Sequence, residues 1–119
     1  MATENLKSIE KRIARLKREI AGAGDLRPGT LSVQYRNPAE KKTPFNQLSY
    51  TRRSKSRSEY VRAGHLQILR REIDEYKRFR TLIEGLVDLS IQASKMRLAL
   101  LKSREPPNRR GKRPNQARR

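Results

Sequence analysis

The residues with the clearest chemistry are cations. Arg52, Arg53, Lys55 and Arg57 fall within a stretch of six positions, interleaved with Ser54 and Ser56, and Lys41 and Lys42 shortly precede them. A second set, Arg109, Arg110, Lys112, Arg113, Arg118 and Arg119, is spaced by Gly and Pro at the C-terminus. Guanidinium and ammonium groups at this density suit phosphate oxygens, because charge-assisted hydrogen bonds form and condensed counterions are released. Tyr35, Tyr50 and Tyr60 flank the first set. Rings displayed on a sheet can stack unpaired bases, and Tyr50, two residues before Arg52, joins the candidate contact residues.

Other chemistries find little support. Cysteine is absent, which excludes disulfides and thiolate zinc sites. The single His65 has no second histidine or carboxylate pair at ligand spacing, so no metal or cofactor is expected. Glu72, Asp74 and Glu75 lie among Arg71, Lys77, Arg78 and Arg80, where ion pairs three and four residues apart account for them. Gly22-Ala23-Gly24 lacks the lysine and hydroxyl of a phosphate loop. No nucleophile, base and orienting acid converge, so the expectation is a protein that is not an enzyme.

The whole chain carries 30 Lys and Arg against 12 Asp and Glu, a formal charge of +18 over 119 residues. The excess concentrates in the middle and at the end: residues 22–64 and 103–119 each carry a net +6, whereas residues 1–21 and 65–102 each carry +3. Leu, Ile, Val and Phe number 25, all before residue 103. Residues 1–102 therefore read as one thinly cored domain, and residues 103–119 as a disordered basic tail unable to bury enough apolar surface to offset ordering entropy. No apolar run approaches a membrane span and no signal-peptide core follows Met1. A soluble, cytoplasmic protein is expected.

The elements that must position the cations follow from periodicity. Leu6, Ile9, Ile13, Leu16 and Ile20 recur at alternating steps of three and four, a narrow apolar stripe on a first helix. Thr3 or Asn5 can cap it, and Gly22 and Gly24 stop it. Leu31, Val33 and Tyr35 alternate with polar residues, which predicts a strand. After a loop over 39–44, residues 45–51 and 56–62 read as two more strands joined by a turn at Arg53-Ser54-Lys55. From His65 a long helix takes over, with Leu66, Leu69, Ile73, Tyr76, Phe79, Leu82, Leu86, Leu89, Ala93, Met96 and Leu100 on its stripe. A run of threes marks a phase slip around Tyr76 to Leu82, where the helix bends or changes packing partner. The first helix is too short to cover the stripe, so the remainder needs the sheet or a second copy of the chain. The predicted class is α+β: a helix, a three-stranded antiparallel meander, and a long helix that pairs with the first.

The segments LRPGTLSVQYR, PFNQLSYTRRSKSRSEYVR and REIDEYKRFRTLIEGLVDLS, in this order over roughly residues 6–95, resemble a small prokaryotic family whose members are often described as transposase-related or lie beside mobile elements. That family shows a YYQLSY-type strand, a GKSR-like turn and a YKRF-like helical step. Two departures stand out. The family's cysteine cluster after the first strand is replaced by Asn37 to Lys42, and the turn glycine is missing from Arg53-Ser54-Lys55-Ser56-Arg57. The resemblance implies a mobile-element setting and supplies no catalytic residue.

Together these readings predict a protein that binds DNA or RNA through phosphate contacts at the basic hairpin and the tail, associated with a nucleoid or a ribonucleoprotein. The alternatives are a structural subunit of a ribonucleoprotein, or a helical adaptor for a transposase, a nuclease or another copy of itself. Neither involves a membrane.

Overall fold

A computed structural model describes residues 5–105. The order of elements is α1 (Leu6–Ala21), β1 (Thr30–Asn37), β2 (Lys42–Arg52), β3 (Lys55–Val61), a single 3-10 turn (Ala63–His65) and α2 (Leu66–Arg104). This is the α+β arrangement expected from the periodicities. The positions assigned to the tail from residue 106 onward lie outside the described residues.

Each end of α1 has a local cause. The Asn5 side chain accepts a hydrogen bond from the Ser8 amide at 2.8 Å, satisfying one of the four amides that a helix start leaves free. At the other end the Gly22 amide donates to the carbonyls of Arg18 and Glu19. Between them, Ile9 is buried and Leu6, Ile13 and Leu16 are half-buried against Leu89, Ala93 and Met96 of α2. The two helices run antiparallel: Glu10 reaches Arg97 at 3.6 Å, and a Cβ placed on Gly85 would lie 3.6 Å from Leu16 Cδ1. A methyl group at Gly85 would thus meet α1 at an ordinary contact distance.

The sheet has the order β1-β2-β3, antiparallel throughout. Its registers, Leu31↔Leu48 and Asn46↔Val61, align one apolar residue from each strand on the inner face. Leu48, Val61 and Ile73 form a second core, flanked by Leu31, Tyr50, Leu66 and Leu69. α2 therefore serves two partners in turn. Its first turns carry the sheet, and its later turns carry α1. Ile73 and Leu89 lie sixteen residues apart, about 24 Å along the helix. The phase slip between them marks this change of partner within one uninterrupted helix.

The α1–β1 connection is fastened to α2 rather than left loose. The Gly24 amide donates to Glu75 Oε2 at 2.8 Å, and the Arg27 amide donates to the Glu72 carbonyl at 3.1 Å. Arg78 grips the same Glu75 carboxylate at 2.9 Å. Hydrogen bonds from Arg78 and from the Gly24 amide hold the Glu75 carboxyl well below the usual carboxylate range, at about 2, and raise the Arg78 guanidinium in return. Gly29, entering β1, has a φ of 143°, and a Cβ there would lie 2.6 Å from Leu48 Cδ1. Only glycine allows the chain to pass that close to the fully buried Leu48.

Three boundaries differ from the periodicity reading. β2 begins at Lys42 rather than Phe45, because Pro44 still pairs with Tyr35 on one side while the β3 ladder has already ended at Asn46↔Val61. Thr43, with a φ of 56°, lies opposite Arg36 in a register that runs unshifted from Tyr35↔Pro44 to Asn37↔Lys42, so the strand is locally distorted there without an extra residue. The β2–β3 turn contains two residues, not three: Arg52 pairs with Lys55, and Arg53 and Ser54 adopt φ values of 51° and 66°, the signature of a type I′ hairpin.

Candidate nucleic-acid interface

A meander sends successive turns to opposite ends of its sheet. β1 starts opposite Ser49, so β2 and β3 continue past it as a two-stranded arm that ends in the Arg53-Ser54 turn. The arm projects about 13 Å beyond that last three-stranded rung. Pairing of Tyr50 with Arg57 and of Arg52 with Lys55 sets Arg52, Lys55 and Arg57 on one face of the arm. Thr51 and Ser56 lie on the other. All four cations are exposed, and among the described residues none of them forms an ion pair.

The structure does not bring Lys41 and Lys42 into this group. They sit at the β1–β2 turn, and Lys42 is separated from Arg52 by the length of β2, about 33 Å. Lys42 is also engaged by Glu40 at 3.3 Å. The candidate interface therefore has two cationic ends rather than one cluster. The third predicted group, Arg109, Arg110, Lys112, Arg113, Arg118 and Arg119, lies outside the described residues.

Tyr50 has work within the fold. Its hydroxyl donates to Glu59 at 3.0 Å, the Arg27 guanidinium lies 5.1 Å from its ring centroid, and its ring borders the inner core. It is half-buried and supports the root of the arm. Arg27 is the residue that the sequence reading missed. It binds Glu59, the only carboxylate on β2 or β3, and so occupies the acid closest to the arm. Nothing local to Leu26-Arg27-Pro28 signals this role, because the partner lies 32 residues away. Its consequence is electrostatic: Glu59 is engaged by Arg27 and not by the cations of the arm.

Beside the arm's root, a cleft of about 490 Å³ is lined by Gly29, Thr30, Ser49, Tyr50, Ser56, Arg57 and neighbouring residues. Its hydroxyls donate and accept hydrogen bonds, and Arg57 supplies the charge. Among the described residues, no group of three or more His, Cys, Asp or Glu gathers as a metal site, and no helix is long and apolar enough to cross a membrane.

No family model, curated protein or solved structure matches the chain.

Proposed function

We propose that this chain is a non-catalytic nucleic-acid-binding protein that grips phosphate backbones with the β2–β3 arm and the basic C-terminal segment. The observation that supports it is the arm: four exposed cations around a two-residue turn, with the one neighbouring carboxylate taken by Arg27. A protein that needed the hairpin only for folding would gain nothing from opposing Arg52 and Lys55, because like charges directly across a ladder are destabilising. A two-stranded ribbon also fits the major groove of duplex DNA. The mobile-element setting, and with it association with a nucleoid or ribonucleoprotein, rests on the family resemblance alone. Anisotropy titration of the purified protein with labelled duplex and single strands, at near-physiological ionic strength, tests the reading. Failure to bind any of them refutes it.

A second reading has its own observation. Val87, Ile91, Leu98 and Leu101 form an exposed apolar stripe on α2, away from α1. Its flanks change sign along the helix, from Glu84 and Asp88 to Lys95, Lys102 and Arg104, which suits antiparallel pairing with a second copy. Sedimentation at increasing concentration checks it, and a monomer at all concentrations removes it.

A further inference from the structure

The solvent face of an antiparallel sheet normally reads as polar. Here it does not. Counting outward from the inward-facing Leu31, Leu48 and Val61, the residues Arg36 on β1, Phe45 on β2 and Tyr60 on β3 all point to the opposite face. They meet in a row across the three strands. The Arg36 guanidinium lies 5.6 Å from the Phe45 ring centroid, and the Phe45 and Tyr60 centroids are 6.4 Å apart with a tilt of 37°. Tyr60 remains 66% exposed. The two cores lie on the inner face and along α2, so neither helix covers this row.

The polar residues around the rings are held in place. Gln47, directly across from Tyr60 and two residues beyond Phe45, donates its amide to Ser49 Oγ at 3.1 Å and to Ser58 Oγ at 3.4 Å. Gln34 donates to Ser32 Oγ at 3.1 Å. Each amide keeps a carbonyl oxygen able to accept from a base edge.

We infer that the outer face of the sheet is a stacking site for unpaired nucleobases, with the exposed Tyr60 ring as the platform, Phe45 extending the aromatic surface at its side, and Arg36, which lies over the Phe45 ring, reaching the adjoining phosphate. The inference rests on the nucleic-acid reading above and adds a preference to it. Bases within a duplex present their edges and not their faces, so this surface takes single strands, whereas the arm takes phosphates of either kind. Stacking is tolerant of base identity, since every base has a π-face. The 2′-hydroxyl has no dedicated partner among these residues, so single-stranded RNA and DNA share the site.

The test uses the full chain and three labelled probes of equal length: oligothymidylate, oligouridylate and a mixed-sequence duplex. Joint replacement Phe45→Ala and Tyr60→Ala weakens binding to both single strands by about ten- to hundredfold and leaves duplex binding and its salt dependence unchanged. Tyr60→Phe retains single-strand affinity, while Tyr60→Leu, which keeps an apolar surface at an exposed position, loses it. A Tyr60→Leu variant that binds single strands like the wild type overturns the inference even if the double variant is poorly folded. Wild-type protein that binds the duplex but neither single strand overturns it while the arm reading survives. Wild-type protein that binds none of the probes overturns both.

Discussion

Replacing Arg52, Arg53, Lys55 and Arg57 together with alanine removes the arm's charge and little else. The four side chains are exposed and take no part in either core. Relief of the Arg52–Lys55 repulsion offsets the poorer strand propensity of alanine, so global stability changes by less than about 1 kcal/mol. Binding responds differently. If each cation neutralises one phosphate of duplex DNA, the log–log slope of affinity against salt becomes shallower by about 3.6. Over a fourfold rise in salt, from about 50 to about 200 mM, the wild type then loses roughly 150-fold more affinity than the variant does. Anisotropy titrations at four or five salt concentrations measure this directly. The Lys41→Ala and Lys42→Ala pair, at the far end of β2, is the control and flattens the slope by about 2 at most. A quadruple variant with the wild-type slope excludes the arm from phosphate contact. A quadruple variant that unfolds early shows instead that the arm is a folding element.

Three further outcomes concern the scaffold. Gly29→Ala forces a side chain into Leu48 at a φ of 143° and lowers unfolding free energy by about 2–4 kcal/mol in urea titration; an unchanged midpoint would show that the chain can move away there. Arg53→Asn with Ser54→Gly gives the type I′ turn its preferred residues and raises stability by about 1–2 kcal/mol, seen as a higher thermal midpoint, unless the two positive φ values relax in solution. Glu75 has a folded-state pKa lowered from 4.5 to about 2, so its contribution is complete above about 4.5 and is lost as pH falls through about 2. The stability gap between the wild type and Glu75→Gln accordingly narrows across that window, and a gap independent of pH would place the Glu75–Arg78–Gly24 clamp elsewhere in the energetics.

Most of the architecture was readable because its signals are local. The alternation of Leu31, Val33 and Tyr35, and the stripes of α1 and α2, are set by one element's need to bury one face. What escaped depends on register. Tyr35, Tyr50 and Tyr60 look alike in sequence, yet the pairing of Leu31 with Leu48 and of Leu48 with Glu59 turns the first two inward and the third outward. Phe45 could be joined to Tyr60 only once Gln47 was known to face Tyr60. Lys41 and Lys42 seemed to neighbour Arg52 because ten positions separate them, but ten positions in a strand are the whole length of the sheet. The two-residue turn carried no Asn-Gly signal, since its positions are held by Arg53 and Ser54.

That last substitution bears on function. A type I′ turn built from arginine and serine gives up stability that Asn-Gly would supply, because side chains in the left-handed region cost about 1–2 kcal/mol each. The rung beneath it opposes two cations, and the only acid within reach is withdrawn by Arg27 and Tyr50. The turn residues and the opposed cations weaken the isolated fold, and the engaged acid leaves the positive potential at that tip uncompensated. Local preferences that conflict with stability in the same direction, at the same place, are what a binding site leaves behind in a small domain. An anion seated between Arg52, Lys55 and Arg57 would remove the repulsion. Ligand should therefore stabilise this arm more than any other part of the chain. Amide exchange in residues 50–58 should slow on adding nucleic acid, while exchange in the α1–α2 core stays as it was. Equal protection everywhere would mean that binding acts on the global fold and that the arm is not its seat.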